Sequence, residues 1–315
     1  MNRTWPQADV PWACPMCKHS LAREEAALAC RACGQRYRVV EGGIPSLLPN
    51  ETGQESGEYR ERKEEVKRMF TAFGQALADK GVSRFSTFMN WGYADVGDEE
   101  DGRLGRGVNE QSLRLFREIM TGIEASGKDV LEIACGRGGN IRALCKSYRP
   151  RLAAGLDLTE ANIAFCHAGN RYEHAYFCIG DAEELPVPDA CFDIVLNIES
   201  SDLYPRIERF YEEVFRVLKP GGMFVYADDM DSEKFNAGER YMRGLGFEMI
   251  VSRDISEQAL LASDLARDNR LAAINGNLES ADAIRDTMGV PGTPLYDDMR
   301  AGKRKYKILH LMKRV

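Results

Sequence analysis

The sequence predicts an α/β protein: a doubly wound sheet that follows a small four-cysteine module and carries a helical insert before its last strand. Three observations predict it. Two Cys-x-x-Cys pairs stand near the N-terminus, an apolar strand runs into a glycine turn and a helix across residues 129–140, and further strand and helix patterns alternate after it. A length of 315 residues suits one large domain with a small companion, at about 150 residues per domain. We divide the chain into 1–49, a cysteine module; 50–107, a linker and aromatic lid; and 108–315, the main domain, with its insert near 255–300.

Composition narrows the class. A 44% hydrophobic share supports a sizeable core, and 42 basic against 49 acidic residues give a net charge of −7. Nucleic-acid-binding domains tend to be net positive, so nucleic acid is disfavoured as a partner. The sequence holds no run of about 18 apolar residues and no signal-peptide pattern at its start, which predicts no membrane span and a cytoplasmic protein.

Cys14-Pro-Met-Cys17 and Cys30-Arg-Ala-Cys33 are separated by twelve residues, a spacing that lets two tight knuckles bring four thiolates to one tetrahedral ion. Zinc suits such an all-sulfur site, and four protein ligands leave no open position, so a structural Zn2+ is expected. His19 is read as a neighbour of the filled shell. Residues 35–40 read as a strand and 41–49 as a turn and exit segment. The module resembles the zinc-ribbon activator subunits of tRNA methyltransferases and, less closely, the ribbon that begins bacterial ribosomal-RNA guanine methyltransferases. That resemblance implies packing, protein docking or RNA contact, and leaves a homo-oligomer or a protein partner through the ribbon open.

Residues 50–68 are rich in Glu, Lys and Arg and read as a solvated linker without chemistry. Val66, Met69, Phe70, Phe73 and Leu77 then recur at helical spacing before the aromatic break at Phe88-Met-Asn-Trp-Gly-Tyr93. Such a cluster suits either a lid over a ligand or helix-end packing.

The main domain opens on Asp129-Val-Leu-Glu-Ile133, followed by Ala134-Cys-Gly-Arg-Gly-Gly139. Strand, glycine turn and helix begin a nucleotide-binding sheet. Glu132 would repel a pyrophosphate, which favours a cofactor without phosphates. The next strand ends at Asp157-Leu158, where a carboxylate chelates ribose hydroxyls. The third leads to Gly180-Asp181-Ala182, suited to the adenine amino group through Asp181 and to a ring nitrogen through the Ala182 amide. A fourth strand ends in Asn197-Ile-Glu199-Ser-Ser-Asp202, and a fifth follows Lys219-Pro-Gly-Gly222.

LEIACGRGGN, GLDLT, GDAEELPVP, CFDIVLNIES and RVLKPGGMFVY resemble the successive motifs of class I S-adenosyl-L-methionine-dependent methyltransferases. The resemblance implies a Rossmann-like seven-stranded sheet and S-adenosylmethionine as cofactor. It implies that Glu132 orients the methionine end, that Ala134, Cys135, Gly136 and Gly138 form the turn beside it, that Asp157 and Leu158 meet the ribose, Asp181 and Ala182 the adenine, and that Asn197 and Ile198 line the sulfonium. Ala134 departs from the usual Gly. Met89-Asn-Trp-Gly-Tyr93, Gly292-Thr-Pro-Leu-Tyr296 and the segment after Asn197 resemble the small-molecule and lipid group that includes phthiotriolone-type and polyketide O-methyltransferases.

The resemblance implies a small-molecule acceptor, methylated on oxygen or on an activated carbon, in natural-product or lipid biosynthesis. Relatives often carry a His after the fourth strand; here Asp202, then Glu199, is the expected proton acceptor or substrate anchor. Tyr93 and Tyr204 are expected cofactor or substrate contacts. RNA-base methylation through the ribbon and a non-catalytic scaffold are the alternatives. Strands six and seven are expected at 247–253 and 306–314, with the insert between them roofing the pocket. The basic residues of the tail read as protection of a sheet edge.

Overall fold

The computed structural model describes residues 10–25, 27–49, 57–95, 109–274 and 281–314. The main sheet is built from β5 (Asp129–Ile133), β6 (Leu152–Asp157), β7 (Ala175–Gly180), β8 (Phe192–Ile198), β9 (Leu218–Asp231), β10 (Phe247–Asp254) and β11 (Arg304–Lys313). Their spatial order is β7-β6-β5-β8-β9-β11-β10; β7 through β9 are mutually parallel, and β11 runs antiparallel to both neighbours. The order reverses direction between β5 and β8, which opens a crevice at the carboxyl ends of those strands.

Parallel strands covered on both faces need apolar residues on both faces. Leu131, Leu156 and Phe224 join one core with α5 (Ile207–Val217) and α6 (Ser232–Leu245), while Val130, Ala153 and Val225 join the other with α2 (Glu110–Ile119), α3 (Gly139–Ser147) and α4 (Glu160–Gly169). Asp231 caps α6, its carboxylate accepting from the Glu233 and Lys234 amides at 2.8 and 3.1 Å.

The cysteine module is continuous with this sheet. Strands β1 (Leu21–Glu24), β2 (Ala27–Cys30) and β3 (Arg36–Val40) form an antiparallel meander. The segment expected to be a turn and exit contains a fourth strand, β4 (Ile44–Leu47), which pairs antiparallel with β3 and parallel with β7. Gly42 and Gly43, at φ 81° and 79°, make the sharp turn that frees Ile44 to start it. Trp12, Leu28, Tyr37 and Leu47 of the module are buried in the α5–α6 core, so no gap separates the two parts.

The expected linker is helical from Gly57: α1 (Gly57–Asp79) packs Phe73 and Leu77 against Ile284 and Val290 of the insert. The insert supplies α7 (Ser256–Ile274), α8 (Ala281–Thr287) and α9 (Pro294–Arg300). The tail corrects another expectation. Strand β11 lies between β9 and β10, so its cations do not guard an edge; Arg304 pairs with Asp202 and Asp229, Lys307 with Glu239, and Lys313 donates to the Phe215 and Leu218 carbonyls. Among the described residues no helix is long and apolar enough to cross a membrane.

Candidate active site

A broad cavity lies across the carboxyl ends of the strands, reached from Asp181 after β7, Asp157 of β6, Ala134 after β5, Ile198 of β8, Asp228 and Asp229 of β9 and Arg304 of β11. It encloses about 1350 Å³ including its mouth. Val66 and Phe70 of α1, Phe88 and Met89 of the aromatic segment, and Thr287, Met288 and Leu295 of the insert supply its outer wall.

At one end the chain turns sharply. Ala134 and Gly136 have φ of 55° and 52°, and Gly138, the N-cap of α3, has 72°. A Cβ on Gly136 would lie 2.4 Å from Met89 Cε, so the turn and the aromatic lid touch. Asp157 Oδ2 accepts from the Gly136 amide at 2.9 Å, and its Oδ1 accepts from the Thr159 amide at 2.8 Å. Glu132 is 1% exposed; its Oε1 accepts from Asn140 Nδ2 at 2.7 Å while Oε2 has no partner. Burial pushes the Glu132 carboxyl up to about 8, against the pull of Asn140. A buried carboxylate oxygen left open asks for a donor from a ligand, and a cationic amino group supplies both donor and charge.

Lys63 of α1 closes the same end. Its ammonium pairs with Asp181 and with Glu183, at 2.8 Å for the latter, and donates to the Tyr59 hydroxyl. Arg137 ties the turn to the lid segment, donating to Ser86 O at 2.7 Å and to Ser83 O at 3.0 Å while stacking on Phe165.

At the other end stand Glu199, Asp202, Asp228, Asp229 and Arg304. Glu199 occupies left-handed backbone space, φ 51°, a strained setting for a residue with a Cβ. Its carboxylate accepts from the Trp91 amide at 2.9 and 3.1 Å and from the Tyr306 hydroxyl at 2.6 Å. Burial, then the charge of Asp229, raises its proton affinity well above the usual carboxylate range. Burial and the Asp229 charge likewise push Asp228 up to about 7, and burial holds Asp229 at about 6 despite Arg304.

Comparisons with known proteins identify the family of both parts of the chain. Residues 131–226 match a family model described as a methyltransferase domain, and residues 13–42 match one described as Trm112p-like protein. The fatty-acid O-methyltransferase of Mycolicibacterium smegmatis is 32% identical over 253 residues, covering 75% of this chain and 90% of that protein. The phthiotriol/phenolphthiotriol dimycocerosates methyltransferase of Mycobacterium tuberculosis is 34% identical over 229 residues, covering 70% and 83%. The chain belongs to the class I S-adenosylmethionine-dependent methyltransferases.

Two solved structures share the methyltransferase fold. The (4+2)-cyclase SpnF superposes with a TM-score of 0.66 at 20% identity, covering 79% of this chain and 95% of that one. The geranyl diphosphate C-methyltransferase of Streptomyces coelicolor gives 0.59 at 15%, covering 80% and 98%.

Of the residues singled out in the sequence of this methyltransferase, Ala134, Cys135, Gly136, Asp157, Leu158, Asp181, Ala182, Ile198, Glu199, Asp202 and Tyr204 line the cavity. Glu132 stands behind Asn140, which lines it. Asn197 is wholly buried and braces the strand end instead, its Nδ2 donating to Ile133 O at 3.0 Å and Ser200 Oγ at 2.7 Å. Gly138 shapes the turn without lining the cavity. Tyr93 departs from expectation: it is absent from the cavity wall, and its hydroxyl donates to Asp95 at 3.1 Å. Asp202 reaches the cavity but does not suit a proton acceptor. Lys234 at 2.6 Å and Arg304 at 2.9 Å hold its carboxyl below the usual range although burial works the other way.

Sequence reasoning missed Lys63, Arg137 and Arg304. The first sat in a presumed linker and the last in a presumed edge strand; the mixed charge of residues 57–68 alongside regular apolar spacing was the available signal for α1.

In the N-terminal module of the methyltransferase the four cysteine sulfurs lie within 4.8 Å of one another, with Cys14–Cys33 at 3.6 Å and Cys17–Cys30 at 3.4 Å. Four sulfurs each about 2.3 Å from one tetrahedral ion stand about 3.8 Å apart, so the cluster fits. The Tyr37 hydroxyl lies 3.0 Å from Cys14 Sγ, a buried donor for a thiolate.

Proposed function

We propose that this methyltransferase transfers a methyl group to an oxygen of an apolar or amphipathic small molecule of the kind met in lipid and natural-product biosynthesis. One observation carries the reading: a single cavity joins the glycine turn and acidic strand ends to an apolar wall made by α1, the aromatic segment and the insert. Such a largely apolar outer wall suits a small acceptor better than a polynucleotide, which needs an open basic groove. The names of the curated relatives point the same way.

S-adenosylmethionine, when bound, supplies a methyl group already activated on a sulfonium. The residues of the chain do the rest. Glu132 faces the methionine amino group with its open oxygen, the 134–138 turn holds the methionine chain, Asp157 takes the ribose, and Asp181 and Ala182 the adenine. The acidic lining favours a cationic cofactor, and enclosure excludes water while the acceptor is held in line. Asp228, whose buried carboxyl is pushed up only to about 7, takes the acceptor proton.

Zinc in the four-cysteine cluster is part of the same proposal, with a structural role. The module docks on its own chain through β4 and Trp12. A cytoplasmic location, where thiols stay reduced and able to hold a metal, belongs to the same proposal.

The test is incubation of the purified enzyme with methyl-labelled S-adenosylmethionine and, separately, hydroxylated lipids, polyketide phenols and total RNA. Label in a small-molecule product is the expected result. Label in RNA alone would replace the reading with an RNA-modifying one.

A further inference from the structure

Among the described residues, the acceptor end of the cavity holds more carboxylates than cations, and the cations have no bond to spare. Among the described residues, seven carboxylate side chains line the cavity against three cations, Lys63, Arg137 and Arg304. Each cation is already engaged. Lys63 holds Asp181 and Glu183, and Arg137 is spent on Ser83 and Ser86. Arg304, the one cation among the described residues lining the acceptor end, gives its guanidinium to Asp202 at 2.9 Å and to Asp229 at 3.0 Å. Lys234, behind Asp202, donates to that residue's carboxylate and carbonyl. Arg270, behind the aromatic segment, donates to the carbonyls of Asn90, Trp91 and Met288 and to Ser263 Oγ.

We infer that the acceptor enters as an uncharged hydroxyl compound, a phenol or alcohol on an apolar body, and that the site discriminates against carboxylates and phosphates of the same shape. The inference rests on the small-acceptor reading above and sharpens it. An anionic acceptor would have to shed its hydration beside Glu199, Asp228 and Asp229 without gaining a cation, and a buried charge without a partner is costly. A hydroxyl meets the opposite situation, since it needs an acceptor for its proton and finds carboxylates. In the reaction the acceptor oxygen forms the new O–C bond, its proton passes to a cavity carboxylate, and the electron pair of the broken C–S bond stays on the sulfur.

The experiment uses a matched pair, 4-dodecylphenol and 4-dodecylbenzoic acid, which share the apolar body and differ in charge. Methyl transfer is followed by mass spectrometry, and binding of each compound to the complex of the full chain with S-adenosylhomocysteine by calorimetry. The phenol is expected to be methylated with kcat/KM at least tenfold higher and to bind at least tenfold tighter. Asp229→Asn releases one arm of Arg304 and is expected to narrow that preference at least threefold, by improving the benzoate. Equal or better use of the benzoate by the native enzyme overturns the inference while leaving the small-acceptor reading intact, as does an unchanged preference in a folded Asp229→Asn variant. If that variant fails to fold, the native pair decides alone. Failure of both compounds to bind or react, with S-adenosylhomocysteine still bound, overturns the small-acceptor reading and this inference with it.

Discussion

The Gly136 amide donates to Asp157 Oδ2 at 2.9 Å, which fastens the glycine turn after β5 to the end of β6. One carboxylate therefore shapes the turn and, in our proposal, holds the ribose. Asp157→Ala leaves the buried Gly136 and Thr159 amides without their acceptor, a cost of about 1–3 kcal/mol for each unsatisfied group. Titration calorimetry with S-adenosylhomocysteine is expected to show at least a hundredfold loss of affinity together with a lower melting temperature. Unchanged affinity would remove Asp157 from the cofactor site.

Ala134 holds a φ of 55°, the reason a glycine suits this place and alanine is a departure. A left-handed conformation costs an L-residue about 1–2 kcal/mol, part of which glycine gives back through its greater freedom when unfolded. Ala134→Gly is thus expected to stabilise the protein by about 0.5–1 kcal/mol in denaturant unfolding, with cofactor affinity within twofold of native. Destabilisation would mean that the methyl group contributes packing that outweighs the strain.

The local patterns of the main domain were legible because strand, turn and helix each depend on neighbouring residues: 129–140 reads as it folds, and acidic residues at strand ends converge wherever parallel strands align. Relationships set by topology were not. Asp202 is a loop carboxylate in the sequence, and its neutralising partners lie 32 and 102 residues away, at Lys234 and Arg304. Strand β11 looks like an edge until the order places β10 outside it. Glycines and prolines near Ile44 announce a turn, yet a strand of four buried residues begins immediately after Gly43, because β7 offers it an open edge.

Glu132 gives the cofactor site a pH dependence with a definite sign. Its folded-state value near 8 means that, without ligand, the carboxyl is largely protonated at neutral pH; only the ionised form pairs with a cationic amino group. Binding to that group lowers the value, so cofactor uptake releases a proton and strengthens as pH rises toward 8. Affinity for S-adenosylhomocysteine is expected to fall by up to tenfold per unit on going from pH 8 to pH 6, and calorimetry in buffers of different ionisation enthalpy should register the released proton. Glu132→Gln should bind more weakly and lose the slope. A native slope that survives in this variant assigns the titration to another group.

The cysteine module grips the adenine end of the cavity from both sides. Leu47 of β4 pairs with Gly180, just before Asp181; beyond it, the Ala13 amide donates to Pro186 O at 2.7 Å and Lys18 Nζ to Leu185 O at 3.1 Å. Lys18, which follows Cys17 of the cluster, also pairs at 3.1 Å with Glu213, whose side chain is 1% exposed. A structural metal contributes its binding energy to folding of its module, so stripping the ion with an organomercurial and a chelator should loosen both anchors. We expect a melting temperature lower by at least 5 °C, about 3 kcal/mol for a chain of this size, and S-adenosylhomocysteine binding weakened several-fold, both restored by Zn2+. Lys18→Met tests the second anchor alone: Arg216 still neutralises Glu213 at 2.8 Å, so folding should survive while the KM for S-adenosylmethionine rises and kcat holds. If metal release is complete by atomic absorption and cofactor affinity does not move, the module stabilises the fold without positioning Asp181, and its pairing with β7 is architectural.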